Sequence, residues 1–187
     1  MDDRSFDYAI DRDDRIASVS DPWLEFAREN RAFDLTRECV VGQSLWRFVA
    51  GEETRRLYEG LFHKVRSRAE SISLPFRCDS PDRFRFMRLR LESGPRGSID
   101  CRGVLLREQE RPVFSILDRA FPRTEAHLPM CSLCKRVLAY GTRWIELEDA
   151  IRELHLFDAT EVPEVDYSVC DDCAGTERPT PDGAAAV

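Results

Sequence analysis

Two cysteine knuckles constrain this chain more than anything else in it: Cys131-Ser-Leu-Cys134 and Cys170-Asp-Asp-Cys173, with 35 residues between them. Two spacer residues let both sulfurs of a tight turn face one ion, and two such turns supply the tetrahedral set that zinc accepts. The spacing therefore predicts one structural zinc per chain, held by Cys131, Cys134, Cys170 and Cys173. Four protein ligands leave no position for water, so the metal is expected to support structure rather than catalysis. The enclosed segment is foldable. Arg143-Trp144-Ile145 reads as a strand, and Leu147, Ala150, Ile151 and Leu154 form a helical stripe. A core this small seldom folds unaided, so metal binding would contribute folding free energy directly. A redox dithiol and a mononuclear iron site compete for the same sulfurs.

The cysteine usage also bears on compartment. Four of the seven cysteines lie in the two pairs, which fits metal binding in a reducing compartment better than a disulfide framework. No apolar run approaches the roughly 20 residues of a membrane span. The start, MDDRSFDY, lacks the basic and apolar stretches of a secretory signal. A cytoplasmic protein, with no membrane partner, is the expectation. The net charge of -7 is unevenly placed. From Glu125 to Arg178 there are twelve acids against five bases, whereas the remainder carries 23 of each sign. Such a surface repels phosphate backbones, so no nucleic-acid partner is expected.

Upstream, the pattern is that of an α+β domain. FDYAIDRDDRIASVSD reads as two strands around a polar turn, and Asp21-Pro22 opens a helix whose core face holds Trp23, Phe26 and Ala27. Gly42 breaks the chain before a short buried segment with Leu45, Trp46, Phe48 and Val49. A longer helix over 52–69 presents Leu57, Tyr58, Leu61, Phe62 and Val65 on one stripe. Period-two alternation follows. Residues 72–78 form one strand, with Pro75 marking an edge or bulge. Residues 83–91 form the next, with a bulge at Met87 to restore phase between Phe84/Phe86 and Leu89/Leu91. A last strand runs near Ile99–Arg107. The result is an antiparallel sheet with its helices on one face.

This order of elements resembles the PAS sensory fold over residues 5–108. The residues that carry the likeness are the first strand pair, Asp21-Pro22-Trp23-Leu24, Gly42-Gln43-Ser44-Leu45 and the three closing strands. The resemblance implies a small-molecule pocket, for which Trp23, Phe26, Trp46, Phe48 and Leu61 are the candidates; the same side chains could instead fill the interior themselves. Residues 128–175 resemble the C-terminal module that follows PAS domains in some bacterial signalling proteins. Cys131-x-x-Cys134-Lys135-Arg136-Val137, Trp144 with Glu146 and Glu148, and Cys170-x-x-Cys173 carry that likeness. The expected organisation is thus a PAS-like domain over 1–108, a connector over 109–127, a zinc module over 128–177 and a disordered tail over 178–187. Within the connector, Val113, Ile116, Leu117, Ala120 and Phe121 match a short amphipathic helix, or a loop packed on the sheet.

Other candidates weigh less. His127 stands four residues before Cys131, a spacing that resembles zinc-containing anti-sigma factors, but Pro129 argues against the helix this needs. His63 falls on the polar face of its helix, away from any haem, and His155 is expected to be exposed. Cys39, Cys78 and Cys101 read as small buried hydrophobes. No nucleophile elbow, phosphate-binding glycine loop or kinase motif is present, so no enzyme is expected. With the apolar side chains of 83–91 inward, Arg83, Arg85, Arg88 and Arg90 would form a positive stripe on the far face of the sheet, suited to the acidic module of the same chain or of a dimer mate. The alternative is a solvated face on which the arginine stems cover apolar surface. The reading is of a non-catalytic bacterial signalling or regulatory protein with a protein partner or homodimer. An anti-sigma-like inhibitor and a thiol-based redox sensor are its rivals.

Overall fold

The computed structural model describes residues 4–175; the tail expected at 178–187 lies outside them. β1 (Ser5–Ile10) and β2 (Ile16–Val19) form a hairpin. Its turn is tied by Asp11, whose carboxylate accepts from the Asp13 and Arg15 amides at 2.9 Å each. The chain then enters α1 (Asp21–Glu29). Ser20, rather than Asp21, caps it by accepting from the Trp23 amide, and Pro22 occupies the first turn, where a missing N–H costs nothing. After α2 (Arg37–Val40) and a 3-10 turn at Leu45–Arg47, α3 (Glu52–Arg68) crosses the sheet. It stops at Ala69, which takes a left-handed conformation with φ 53°.

β3 (Ile72–Arg77), β4 (Arg83–Ser93) and β5 (Ile99–Glu110) complete a five-stranded sheet of order β2-β1-β5-β4-β3, antiparallel throughout. Ile10, Leu74, Leu89, Leu91 and Ile99 on its inner face meet Leu57, Leu61, Phe62 and Val65 of α3. The fold is therefore α+β, with the helices packed on one face, as the hydrophobic pattern requires. Pro75 sits on the edge strand β3, where its missing amide breaks no ladder.

One detail reverses an expectation. The register does shift between Phe86 and Met87, but Phe86 pairs with Arg107 and Met87 with Leu105. The extra residue is Leu106 on β5, so alternation along β4 runs unbroken. Arg83 and Arg85 consequently share the helix-covered face with Met87, Leu89 and Leu91, while Phe84, Phe86, Arg88 and Arg90 take the other. The four arginines are split two and two. Arg85 is tolerated inside because its guanidinium donates to Glu108 and Asn30, both at 2.7 Å, and lies over the Phe26 ring.

The connector is not a helix. Only a 3-10 turn forms, at Ser115–Leu117, with Phe114 and Ile116 buried under it. The chain then extends as β6 (Arg123–Cys131), so the second sheet begins inside the segment read as linker. β7 (Val137–Ala139), β8 (Arg143–Ile145), α4 (Leu147–Glu153), β9 (Val162–Ser168) and α5 (Asp171–Ala174) follow. Strand order is β8-β7-β6-β9, with β6 and β9 parallel. Leu147, Ala150 and Ile151 of α4 are buried, as the stripe predicts. No helix among the described residues is long and apolar enough to cross a membrane.

Candidate metal centre

The parallel pairing of β6 with β9 brings the two knuckles together. Cys131 aligns with Ser168, and the Ser132 amide donates to the Ser168 carbonyl at 2.9 Å. Both strands therefore end at the same level, and each runs straight into a Cys-x-x-Cys segment. The first segment is a tight turn. The Lys135 amide donates to the Cys131 carbonyl at 3.0 Å, and the Cys131 amide donates to the Arg136 carbonyl at 2.7 Å. Lys135 closes the turn with φ 65°. The second segment is a helix start: Cys170 flanks α5 in an extended conformation, and the Ala174 amide returns to its carbonyl at 2.9 Å.

All four sulfurs lie within 4.8 Å of one another, and Cys134 and Cys170 are 3.6 Å apart. A tetrahedron with metal–sulfur bonds of about 2.3 Å has edges of roughly 3.8 Å, so the set already has the dimensions of a four-sulfur site. Cys131 and Cys170 are buried, whereas Cys134 and Cys173 are half-buried. These four cysteines could hold a metal ion.

The electrostatics favour a cation. Hydrogen bonds from the Cys134 and Cys173 thiols, joined by backbone amides of Cys134 and Cys170, hold the Cys131 thiol far below its usual range. The same sharing pushes Cys134 up to about 12 and Cys173 well above its ordinary value. Four sulfurs this close cannot all ionise unless a positive charge sits among them. Four thiolates on a divalent ion would still leave two negative charges, and the Lys135 and Arg136 side chains start from the same turn. Arg136 is itself fixed by Glu146 at 2.7 Å and Asp172 at 2.5 Å, hydrogen bonds that raise its pKa further.

His127 does not belong to this group. Its Nδ1 lies 3.0 Å from Asp166 across the β6–β9 pair, and the ring is exposed. His63 and His155 are exposed too. Of the remaining cysteines, Cys101 is buried and its thiol is pushed up to about 12 by that burial. Cys78 is half-buried, and burial raises its thiol as well. Cys39 is exposed on α2, which corrects its reading as a buried hydrophobe.

Three of the five pocket candidates share one cluster. Leu61 is buried, Trp23 and Trp46 pack against the same cluster, and Trp46 lies 5.8 Å from Phe62. Phe26 instead packs on Phe6 at 4.4 Å, and Phe48 is 42% exposed. Arg88 and Arg90 line an open groove of about 390 Å³ on the far face of the first sheet, with Glu92, Arg102, Val104 and Leu106.

A charged cluster escaped sequence reasoning. Asp79, with its side chain 0% exposed, accepts from Arg77 at 2.5 Å and from Arg111 at 2.9 Å. Glu148, at the start of α4, accepts from Arg77 at 2.7 Å and from Arg111 at 3.3 Å. The two guanidiniums lie over Phe84 and Phe114. Its members are up to 71 residues apart in sequence, and each alone reads as an ordinary surface charge.

Compared with known proteins, the chain matches no family model and no curated protein.

Proposed function

We propose that this chain is a non-catalytic signalling protein of the cytoplasm, in which a PAS-like domain is joined to a structural-zinc module that engages a protein partner. The observation that carries the reading is the closed four-sulfur set. All four of its ligand positions come from the chain itself, which leaves none open for a substrate or water. Zinc suits it because the ion has no geometric preference of its own and no redox chemistry. The strand pair, the intervening helices and the three closing strands stand in the order that the PAS resemblance implies, which supports a sensory or scaffold role for the first domain. The acidic surface of the module is what a partner would meet. Native mass spectrometry of protein purified without added metal tests this reading. One zinc per chain is the expected result; a metal-free chain carrying a Cys131–Cys134 disulfide would overturn it.

A second reading has its own observation. Cys134 and Cys173 are half-buried, so an oxidant can reach sulfur without unfolding the module. In a thiol-based sensor, peroxide would oxidise two thiolates to a disulfide, itself be reduced to water, and expel the metal. Rapid and reversible metal release on peroxide addition would favour that reading, whereas slow release favours a structural site.

A further inference from the structure

The residues that present the module to the first domain are the same residues that the cysteines hold. The Leu133 carbonyl, inside the first knuckle, accepts from the Arg77 amide at 2.6 Å, so the knuckle covers the open edge of β3. Ser132, its neighbour in the knuckle, accepts at Oγ from Thr54 Oγ1 at 2.8 Å, at the start of α3. Ser168, two residues before Cys170, donates to Glu53 Oε2 at 2.5 Å. The Tyr167 carbonyl lies so close to Gly51, where φ is 86°, that a Cβ there would stand 2.2 Å from its oxygen. Cys131, Leu133 and Cys170 are packed into the hydrophobic cluster of the first domain rather than that of the module.

We propose that the four-cysteine centre is a latch: metal occupancy decides whether the module stays seated on β3 and α3, and so links the state of the metal to the first domain. The inference rests on the reading of the cysteines as metal ligands. Its physical basis is that bonds to one ion fix 131–134 and 168–173 relative to each other. The β6–β9 pairing sets Tyr167 and Ser168 opposite Met130 and Cys131, next to Ser132 and Leu133, and bonds to one ion would hold the ends of that pair in register. Without the ion, the two segments lose the bonds that tie 131–134 to 170–173 and keep only the β6–β9 pairing. Because coupling between two equilibria is reciprocal, the seam must in turn strengthen metal binding.

Hydrogen exchange on the full chain, zinc-loaded and after chelation, reads the latch directly, with metal content measured on the same samples. Chelation should raise exchange at least about tenfold in 72–78 and 51–58, while 5–10 and 99–104, across the sheet, keep their protection. Unchanged exchange in 72–78 and 51–58 would show that apolar packing alone seats the module, and would overturn the proposal. Failure of the purified chain to bind zinc would instead sink the metal reading, and the metal assay separates the two results. A second arm leaves the cysteines intact. Glu53→Ala with Thr54→Val removes two seam hydrogen bonds, and zinc affinity in a chelator competition should fall by about three- to thirtyfold. An affinity equal to that of the unaltered chain contradicts the latch.

Discussion

The two sheets of this protein bury their inner faces by different means. The five-stranded sheet lies under α3, whose Leu61, Phe62 and Val65 are almost wholly buried, and large side chains fill the interior. Each such burial contributes about 1.5–3 kcal/mol. The four-stranded sheet packs against α4, a helix of only seven residues, and its core is a smaller cluster that includes Ile116, Met130, Leu147 and Ile151. A core so small leaves little surplus. The knuckles stand at the end of the β6–β9 pair, and Cys131, Leu133 and Cys170 pack against the core of the first sheet rather than that of the second. The comparison teaches that the first sheet can rely on apolar burial, whereas the second has the smaller core and a four-cysteine group that could hold a metal ion beside it.

The largest expected effect separates the two regions. Cys170→Ser should abolish stoichiometric metal and melt the second sheet while the first keeps its inner core, as followed by hydrogen exchange of 137–151 against 99–104. Loss of a group that merely orients a metal ligand lowers affinity roughly 10–100-fold, and loss of a ligand itself exceeds that. Metal retention with intact protection in 137–151 would erase the distinction drawn between the sheets. Acid should act in the same direction, since thiolates bind metal only when deprotonated, so zinc is lost as pH falls.

Next in size is the ionic cluster that joins the regions. Asp79→Ala leaves the buried Arg77 and Arg111 sharing Glu148, with Glu146 3.6 Å from Arg77 as well, and should cost about 3–5 kcal/mol in urea denaturation. By comparison, Arg88→Ala on the solvent face of β4 should stay within about 0.5 kcal/mol. Leu61→Ala, in the α3 stripe, should cost about 2–5 kcal/mol in urea denaturation and leave zinc stoichiometry unchanged, because it touches no ligand. Gly51→Ala combines a strained φ with a collision against the Tyr167 carbonyl and should destabilise by about 1–3 kcal/mol. The smallest effect belongs to His127→Ala. It removes an exposed pair with Asp166 worth about 0–1 kcal/mol and should leave metal content untouched. Metal loss in that variant would return the histidine to the ligand set.

What the sequence disclosed, and what it hid, follows from how local each signal is. The helices over 21–29, 52–68 and 147–153 announce themselves through periodicity and, for the first, the Asp21-Pro22 start. The cysteine quartet is legible because its spacing encodes two turns, each complete within six residues. The bulge was legible as a phase conflict in β4, but an extra residue on either partner repairs such a conflict, and it fell on Leu106 of β5. That choice sent Arg85 inward. The apolar residues of the connector mimicked a helical stripe, yet Phe114 and Ile116 are buried from a 3-10 turn and β6 takes over from Arg123. The Asp79 cluster was invisible because its meaning lies in contacts between β3, the end of β5 and α4, which no window of sequence contains.

The proposal that four cysteines and nothing else hold one zinc ion is open to one direct measurement. Zinc-edge X-ray absorption on the protein as purified reports the identity, number and distance of the ligands together. Four sulfur scatterers at about 2.3 Å, with no nitrogen or oxygen in the first coordination sphere, are the expected result. A shell of three sulfurs with one lighter atom, or the absence of a zinc edge, would contradict it.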